Sequence, residues 1–559
     1  MDSHSRVRDW AVSTANEFRA TTEVIRKGTG LFVQQLKDGL RQDGTALLQV
    51  PSYVVKLPNG SEKGICLAID LGGTNLRVCS VELHGDTTCS LLQSKAAIPT
   101  SLMTASTYKD LFRFIAKHTE SFMLKNLPGE VERWRGLVAE GGVTDEVRKA
   151  NLHSLGFTFS FTFDQHAIDK GTLMYWTKSF SIDDAVGRDP CAMLQEAFDE
   201  IHLPLLVRAL VNDTVGTLAA RAYAAPGTSQ TLLAAIFGTG TNGAYMERIE
   251  DITKLHSSPG FSNPGPGTFM ALNTEWGGFD SRLAVLPVTK YDEALDRESV
   301  NPDDQHYEKR ISGLYLGEIL RRVLLEDLQS EKPCLQLEVS LASKLYEPYS
   351  IDSSFLSEIV RDATLGLSVA RQEISRTLGV ESVSSEDAEA IRTVATAIGL
   401  RAARLSAIAI AGVVIQSGRL HEQAAGKTTE PTKTTAASLT PKSFWGRLVS
   451  SLMKPLRALT SLFGFTSKEA TRQIPKDEES LGSDSSSESR DVLLDDIIDI
   501  GVDGSLFEFF PSFEENLRVA LREIPEVGRE GERRIRMGAA ADGSGIGAAL
   551  IAWSAAKED

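Results

Sequence analysis

The sequence predicts an α/β protein of two domains with a ligand cleft between them. Two glycine-rich hairpins indicate this fold, CLAIDLGGTNLRVCSVEL at 66–83 and LLAAIFGTGTNGAYMER at 232–248. Each runs from an apolar strand through a turn of small residues into a second strand, and strands alternate with helices around both. Two such runs within 559 residues are typical of two α/β domains, and clefts between domains are preferred ligand sites.

The elements follow in chain order. Residues 1–225 form the first predicted domain, which begins with helical sequence and passes through the first hairpin to the helix TYKDLFRFIAKHTESFML, the strand GFTFSF and the strand–helix pair LLVRALVNDTVGTLAARAY. The segment 128–151 has little strand character and is interpreted as an insertion. Residues 226–555 form the second domain, with the second hairpin, long helices such as YEKRISGLYLGEILRRVLLEDL, the strand–turn–helix GVDGSLFEFFPSFEENL and the glycine-rich turn of MGAAADGSGIGAALIAWSAA.

Composition and charge exclude several protein classes. A net charge of −16 argues against a dedicated nucleic-acid binder, which would carry a basic face. The five cysteines show no CxxC spacing, so neither a disulfide framework nor a zinc site is predicted, and a reducing compartment fits best. No run of 18 apolar, uncharged residues and no secretory signal occurs. We therefore expect a cytoplasmic protein.

The stretch 421–495 interrupts the domain pattern. It opens rich in Thr, Ala, Lys and Pro and closes with the acidic serine run KDEESLGSDSSSESRD, compositions that predict disorder. Within it, 443–465 has helical periodicity, with an apolar face opposite a basic one and Pro455 as a break. Three interpretations stay open: a helix on a membrane surface, such as that of mitochondria, a helix that binds a protein partner, or one packed on the protein's own surface.

The turns of the two hairpins predict phosphate binding. Glycine lacks a Cβ and tolerates positive φ, so backbone N–H groups in such turns can approach an anion closely. One turn of this kind is weak support, because many hairpins use Gly and Asn for geometry alone. Two turns, each carrying Thr hydroxyls, predict half-sites that close on a polyphosphate and indicate an ATP-dependent kinase.

Ten sequence blocks, in order, resemble those of the eukaryotic hexokinase family, especially its fungal members. They are LAIDLGGTNLRV, LGFTFSF, YWTKSF, VNDTVGTL, FGTGTNGAY, NTEWGGFD, LPVTKYDEALDRES, ISGLYLGEILR, GVDGSLFEF and DGSGIGAALIA. The resemblance extends from about residue 10 to 555, apart from the insertions. It implies the two-domain sugar kinase, actin and Hsp70-type fold (ribonuclease H-like), with an interdomain cleft that closes on its substrates. It also implies transfer of the ATP γ-phosphoryl group to the 6-hydroxyl of glucose or a related hexose, the first step of glycolysis.

The resemblance assigns a set of sugar-binding residues from several motifs. A hexose presents a ring of hydroxyls, so its site needs carboxylates, amides and hydroxyls from several directions. For Glu275 and Glu308, the alternative is a pair of ordinary surface carboxylates. The residues implied to hold the sugar are Ser160, Thr177, Lys178, Asn212, Asp213, Asn242, Glu275 and Glu308.

Asp213 is the implied catalytic base. It follows the apolar strand LLVRALV and precedes a helix, at the kind of strand end where α/β proteins bind ligands. In the family this residue accepts the proton of the sugar 6-hydroxyl, while Lys178 neutralises the transferring phosphoryl group or bonds the sugar. The alternative is that Asn212-Asp213-Thr214 only caps the helix.

The resemblance also assigns the nucleotide side. Asp70 is implied to hold Mg²⁺ through water, because Mg²⁺ loses its waters reluctantly. Arg77 is expected to form an ion pair between domains rather than to touch ATP. The ATP-binding residues are implied to be Gly72, Gly73, Thr74 and Asn75 in the first turn, Gly238, Thr239, Gly240 and Thr241 in the second, and Gly504, Ser505, Asp542, Gly543 and Gly545 on the adenosine side.

Three positions depart from the family pattern: Thr162 replaces a proline, Leu400 a threonine and Ala541 a glutamate. Each change removes a rigid residue or a polar partner, and a lost hydrogen bond costs about 0.5–1.5 kcal/mol. An alternative function is therefore a catalytically weak, glucose-sensing regulatory protein on the same fold. An actin-like or Hsp70-like ATPase is a third hypothesis, but it gives no reason for the sugar motifs NTEWGGFD and YWTK.

Overall fold

A computed structural model describes residues 3–141, 143–177, 179–225, 231–257, 261, 265–420, 472–473, 497–540 and 542–558. The strands in these ranges are β1 (Val50–Pro51), β2 (Lys63–Leu71), β3 (Asn75–His84), β4 (Cys89–Ala97), β5 (His153–Phe159), β6 (Thr162–Ala167), β7 (Lys170–Tyr175), β8 (Leu205–Val211), β9 (Thr231–Phe237), β10 (Thr241–Arg248), β11 (Phe269–Asn273), β12 (Arg472–Gln473), β13 (Ile498–Asp503) and β14 (Ile535–Ala539). The helices are α1 (Ser3–Glu17), α2 (Thr22–Arg41), α3 (Thr100–Met103), α4 (Tyr108–Asn126), α5 (Pro128–Ala139), α6 (Asp145–Asn151), α7 (Pro190–Glu200), α8 (Asp213–Ala224), α9 (Lys290–Glu298), α10 (Glu308–Ile311), α11 (Gly313–Gln329), α12 (Ser353–Arg361), α13 (Ser368–Leu378), α14 (Ser385–Gln416), α15 (Ser505–Phe509), α16 (Phe513–Glu523), α17 (Gly528–Arg534) and α18 (Gly543–Glu558).

The first six-stranded sheet has the order β12-β4-β3-β2-β5-β8. The predicted hairpin at 66–83 forms β2 and β3, which pair antiparallel with Asp70 opposite Arg77. β5 and β8 then run parallel to β2, as strands joined by helical crossovers do. Parallel strands end at one edge, so the ends of β2, β5 and β8 bring Asp70, Ser160 and Asn212 toward the same side of the sheet.

The second six-stranded sheet, of order β1-β11-β10-β9-β13-β14, repeats this plan. The predicted hairpin at 232–248 forms β9 and β10, which pair antiparallel, and β13 and β14 continue the sheet in parallel. Both sheets therefore place a glycine-rich hairpin next to parallel strands. The predicted α/β architecture with two hairpin-led units is confirmed.

Both ends of the chain pack across the predicted division at residue 225. Helices α1 and α2 pack on α14, and their buried Phe18 and Phe32 share one core with β9–β11 of the second sheet. Close approach at Gly28 and Gly412 lets α2 bury its apolar stripe against α14. At the other end of the chain, α18 packs on α8 and on strands of the first sheet. The N-terminal helices therefore pack with the second sheet, and the C-terminal helix packs with the first.

Two segments were interpreted from the sequence as interruptions of the domain pattern. The apparent insertion at 128–151 forms α5 and α6, and α5 buries Val131 and Trp134 against the first unit. Of the predicted disordered stretch 421–495, only Arg472 and Gln473 belong to the described residues, where they pair with β4. The amphipathic segment 443–465 lies outside them.

Helix α14 alone among the described helices is long and apolar enough to cross a membrane by length and composition. Its most apolar stretch has a mean hydropathy of 1.8, but 83% of that stretch is buried inside the protein. The helix packs against α1, α2, α12 and α16. Its apolar character is accounted for by this position in the core.

Candidate active site

The first turn of α8 presents the proposed base. Asn212 caps this helix: its Oδ1 accepts hydrogen bonds from the Thr214 N–H at 2.9 Å and from Thr214 Oγ1 at 2.6 Å. Asp213 is the first residue inside the helix, and its Oδ1 accepts from the same N–H at 2.8 Å. Asn212 is therefore the residue that caps α8. Capping alone does not explain why a carboxylate occupies position 213.

Polar contacts bring this helix against the second sheet at Asn273. Thr214 Oγ1 lies 3.4 Å from Asn273 Oδ1, which also accepts from Asn242 Nδ2 at 2.8 Å. Glu275 Oε1 then accepts from Asn273 Nδ2 at 2.6 Å and from Asn242 Nδ2 at 3.1 Å. The structure thereby joins Asn212, Asn242 and Glu275, which the sequence assigns to the sugar.

Glu275 adopts a strained backbone at the end of this network. Its φ of 52° and ψ of 48° place a non-glycine residue in the left-handed region. The following Trp276 is fully buried, and its ring lies so close to Gly243 that any Cβ there would overlap it. Such strain persists where surrounding packing enforces it, and it concentrates at functional sites. Glu275 is thus held in place by packing and is not an ordinary surface carboxylate.

Glu308 is bound to the second glycine-rich turn. Its Oε2 accepts from the Thr241 N–H at 3.0 Å, and a Cβ on Gly240 would lie 2.9 Å from the same oxygen. Glu308 begins the short helix α10 and is half-buried. A carboxylate of the predicted sugar site therefore lies directly against a predicted phosphate turn.

The first glycine-rich turn is bonded to the start of α18. Asp70 Oδ2 pairs with Arg77 Nη2 at 2.6 Å and accepts from Ser544 Oγ at 3.0 Å. Arg77 Nη1 in turn pairs with Asp542 Oδ1 at 2.7 Å. The expected role of Arg77 as an ion-pairing residue is confirmed, because it connects the hairpin of the first sheet to the last glycine-rich turn of the chain.

The two phosphate turns use some of their own N–H groups internally. Gly72 N–H donates to the Asn75 carbonyl and Gly238 N–H to the Gly240 carbonyl, each at 3.0 Å. Thr241 N–H is bonded to Glu308. Among the described residues, the turn N–H groups without such partners belong to Gly73, Thr74, Thr239 and Gly240. These four are therefore better placed to bind phosphate than Gly72, Gly238 or Thr241.

The turn at Gly504 packs on the second phosphate turn and contributes a further acid. Gly504 has φ of 115° and approaches Phe237 and Gly238 so closely that no side chain would fit. Its N–H donates to Asp503 Oδ1 at 2.7 Å. Burial raises the pKa of Asp503, and the negative charges of Asp542 and Asp213 raise it further. Carboxylates from three separate motifs therefore converge here.

The α18 turn also packs against the helix of the base. A Cβ on Gly543 would lie 2.5 Å from Thr217, and one on Gly545 would lie 3.1 Å from Cys79 Sγ. Asp542 has a φ of 59°. These contacts place the assigned residues Asp542, Gly543 and Gly545 beside the first phosphate turn and α8. Ser505 directly follows Gly504 and is the first residue of α15.

The strand end at Ser160 is anchored by aromatic packing. Ser160 N–H donates to the Leu71 carbonyl at 3.4 Å, beside the first phosphate turn. The Phe161 ring lies 4.8 Å from Trp176 and 4.9 Å from Phe180. This cluster holds the segment although Thr162, where β6 begins, replaces the family proline.

Thr177 is an assigned residue within the described ranges that no hydrogen bond joins to this network. It accepts a turn hydrogen bond from the Phe180 N–H. Lys178 lies outside the described residues, as does Ala541.

Leu400, the third departure from the family pattern, is 37% exposed on α14. Its neighbours are fixed by packing: Gly399 lies directly against the Phe510 ring, and Arg401 is buried in an ion pair with Asp292. Phe510 directly follows α15, which leads on from the Gly504 turn. Leu400 therefore presents a partly exposed apolar side chain next to the contact between Gly399 and Phe510.

Sequence reasoning missed several residues that complete the site. Asn273 and Thr214 carry the hydrogen bonds between α8 and the second sheet, and Ser544 joins α18 to Asp70. Each lies inside a quoted motif, in NTEWGGFD, VNDTVGTL or DGSG. Their positions in these motifs were the available signal, but their partners are distant in sequence.

Comparison with known proteins agrees with this geometry. Two family models, both described as hexokinase, match residues 11–223 and residues 232–438 with 470–554. The chain is 41% identical to a glucokinase of Aspergillus niger, over 99% of this chain and 98% of that protein. It is 35% identical to glucokinase-1 of Saccharomyces cerevisiae, over 96% and 95%.

Solved structures give the same result. A hexokinase from Schistosoma mansoni complexed with glucose superposes with a TM-score of 0.71 at 27% identity, over 99% of this chain and all of that one. The predicted two-domain sugar kinase fold is confirmed. The two family models and the full-length fungal relatives confirm the resemblance on which the site residues were assigned, and the chain belongs to the hexokinase family.

Proposed function

We propose that this protein transfers the γ-phosphoryl group of ATP to the 6-hydroxyl of glucose or a closely related hexose. The observation that carries the proposal is the cluster of polar groups that runs from Asn212 past Thr214 to the hydrogen-bonded set of Asn273, Asn242 and Glu275, beside Asp213. Several amide and carboxylate groups lie close together here, and they can donate hydrogen bonds to the hydroxyls of a sugar ring and accept hydrogen bonds from them. Relatives named glucokinase at 41% and 35% identity support glucose as the substrate.

Asp213 receives the proton in this reaction. Its hydrogen bond from the Thr214 N–H fixes the carboxylate, and the N-terminus of α8 favours its ionised form. An ionised carboxylate within reach of the 6-hydroxyl can take up the proton as that oxygen bonds to the γ-phosphorus and the bond to the β-phosphate oxygen breaks. The sugar network holds the hydroxyl in line for this attack.

The glycine-rich turns position the phosphates. Backbone N–H groups of Gly73 and Thr74, and of Thr239 and Gly240, can bond phosphate oxygens at no desolvation cost to a side chain. The Glu308 contact places the sugar carboxylate beside the second turn, so the two substrates meet there. Most of the acceleration in phosphoryl transfer comes from such alignment and charge stabilisation.

The acidic groups around these turns fit a magnesium ion bound with ATP. The ion pair and hydrogen bonds of Asp70 within the described chain all involve Oδ2, so Oδ1 remains for a metal-bound water. The mutual repulsion of Asp503 and Asp542 would also be relieved by a cation. Mg²⁺ supplies charge neutralisation on the phosphate oxygens when it is bound.

A catalytically weak, glucose-sensing protein is the second candidate. The partly exposed Leu400 on α14 favours it, because the resemblance implies a hydroxyl at this position. This change affects nucleotide affinity and leaves the base and the phosphate turns in place. The two candidate functions therefore predict different rates of turnover but the same binding of sugar.

Glucose-dependent ADP release from Mg-ATP by the full-length protein separates the two functions. We expect turnover in the wild type and a decrease of about 10²–10⁴-fold in Asp213→Asn, the range for losing a general base. Glucose should still raise the melting temperature of this variant. Asp110→Asn, the same change at an exposed first-turn position of α4, serves as the matched control and should retain activity. Wild-type protein that binds glucose without turnover would support the sensor instead.

A further inference from the structure

A second pocket lies outside the active site, between α9 and the segment that leads to α10. Its volume is about 330 Å³. Four carboxylates and two guanidinium groups line it, from Asp292, Glu293, Asp296, Asp303, Arg297 and Arg310. Asp292 is already paired with Arg401, and Asp296 with Lys309, so an ion in this pocket would be held by the geometry of its ligands rather than by an excess of negative charge.

His306 points an unpartnered ring nitrogen into this pocket. The residue is only 4% exposed, and its Nδ1 is buried without a hydrogen-bond partner. The nearest acid is Asp296, whose Oδ1 lies 3.5 Å from Nδ1, too far for a good hydrogen bond. An orphaned polar atom at this depth is unusual in a folded protein and indicates a missing partner.

Three ligand atoms converge at this position. One oxygen of Asp296, one of Asp303 and a ring nitrogen of His306 all lie within 4.8 Å of one another. Asp303 is exposed and can rotate toward an ion, while His306 is fixed by burial. An imidazole with two carboxylates is a ligand set for first-row transition metals such as Zn²⁺, and three protein ligands leave one position for water.

We propose that Asp296, Asp303 and His306 bind a divalent transition-metal ion of the Zn²⁺ type. Asp296 already accepts from Lys309 Nζ at 2.6 Å and from the Asp303 N–H at 3.1 Å. A carboxylate offers about four lone-pair positions, so these bonds leave room for a metal.

The protonation state of the imidazole agrees with this site. Burial lowers the pKa of His306, and the charges of Arg310 and Lys309 lower it further, against the opposing effect of Asp296. A neutral imidazole is the form that binds metal.

The site lies on the segment that positions a sugar-binding residue. Glu308 follows His306 by two residues, and the His306 carbonyl accepts from Arg310 Nη1 at 2.7 Å. A bound ion connects the end of α9 to the start of α10 through Asp296 and His306. Metal binding should therefore stabilise this segment and raise the melting temperature of the protein.

Co²⁺ binding to the full-length protein tests the proposal, because Co²⁺ replaces Zn²⁺ and absorbs visible light according to its ligands. Chelator-treated protein is titrated with Co²⁺ alone, without nucleotide, and Zn²⁺ is then added to displace it. We expect one equivalent to bind with new visible absorption. His306→Gln and Asp303→Asn should weaken binding at least about tenfold, the lower end of what even indirect changes at metal sites cost.

His166→Gln is the matched control, because His166 is an exposed histidine whose ring lies 4.0 Å from Asp164. It should bind Co²⁺ as the wild type does. Asp303→Asn is expected to fold as the wild type does, because Asp303 is exposed and its φ of 61° suits asparagine. Its melting temperature in chelator should equal that of the wild type. Identical Co²⁺ titrations for the wild type and both site variants, or no binding to the wild type, would overturn the proposal.

Discussion

Gly240 sets how closely the second phosphate turn approaches Glu308. A Cβ at this position would lie 2.9 Å from Glu308 Oε2, closer than real Cβ contacts. The obstructing atom is the end of a side chain, so the carboxylate can move while the backbone stays. The absence of a side chain at this residue therefore preserves the contact between Glu308 and the second phosphate turn more than it serves folding.

Gly240→Ala should raise the KM for glucose and leave folding nearly unchanged. Displacing Glu308 removes the acceptor of the Thr241 N–H and of a sugar hydroxyl, at about 1–3 kcal/mol, or roughly 5- to 150-fold in KM. Steady-state kinetics and thermal unfolding measure the two effects. Gly136→Ala on α5 is the control, because nothing lies within 4 Å of its added Cβ. A lowered melting temperature with unchanged KM would contradict this assignment.

Arg401 forms a buried, bidentate ion pair that fixes α14 to α9. Its Nη1 and Nη2 bond the two oxygens of Asp292 at 2.7 and 2.8 Å, and the side chains are 0% and 3% exposed. Burial alone would raise the pKa of Asp292, but the charge and hydrogen bonds of Arg401 outweigh it and lower that pKa to about 2. Removing one partner leaves the other charge buried without compensation.

Arg401→Met should destabilise the protein by about 3–5 kcal/mol, the usual cost of breaking a buried pair. Asp292 has a folded-state pKa below its ordinary value, so its contribution is complete above about pH 4 and is lost as the pH falls toward 2. The difference in melting temperature between wild type and variant should therefore narrow below about pH 4. Arg113→Met removes exposed ion pairs and should cost no more than about 1 kcal/mol. A difference that stays constant with pH would disprove the linkage.

Motifs identified most individual site residues, but they could not identify their partners. Asp213, Asn242 and Glu275 were assigned from sequence blocks, and the structure brings them into one network. Asn273 was missed because its role depends on bonds to Thr214 and Asn242, 59 and 31 residues away in the chain. A pattern in one segment carries no information on which distant amide will face it.

Helices α8 and α18 approach each other almost without side chains between them. A Cβ on Gly547 would overlap the backbone of Gly216, and one on Gly543 would lie 2.5 Å from Thr217. Both obstacles include backbone atoms, which cannot rotate away. Because α8 carries Asp213 in its first turn, the position of the base depends on this helix pair.

Gly547→Ala should therefore affect both stability and catalysis. Forcing the helices apart costs about 1–3 kcal/mol or more and shifts α8, so we expect lower values of the melting temperature and of kcat. Gly30→Ala on α2 makes the same substitution where nothing lies within 4 Å, and it should stabilise the protein by about 0.5–1 kcal/mol. If Gly547→Ala behaves like Gly30→Ala, the close helix contact is not required.

Element type was more predictable than element placement. Periodicity and glycine-rich turns located both hairpins and the helices that follow them, because these signals are local. The packing of α1 and α2 on α14 was not predictable, since an apolar stripe indicates burial without identifying the covering surface. For the same reason the sequence did not indicate that α18 packs on the first sheet.

At the scale of the whole molecule, the site is built from both sheets. Asn212 and Asp213 follow β8 of the first sheet, while Asn242 lies on β10 and Asn273 ends β11 of the second. A sugar that bonds residues of both groups holds the two units together. Closure of this kind also expels water that would compete with the sugar hydroxyl for the γ-phosphate.

Glucose should therefore compact and stabilise the protein, and ATP hydrolysis without sugar should stay slow. At about 100 times its Kd, a ligand that binds only the folded state stabilises it by about 2.7 kcal/mol. Small-angle scattering should show a smaller radius of gyration with glucose.

Glu275→Gln, which changes one carboxylate of the network, should require more glucose for the same compaction and the same rise in melting temperature. Glu347→Gln, an exposed residue on a loop, should respond as the wild type does. A radius of gyration that glucose leaves unchanged, while it still raises the melting temperature, would mean that the sugar binds to one unit and that closure is not driven by the sugar.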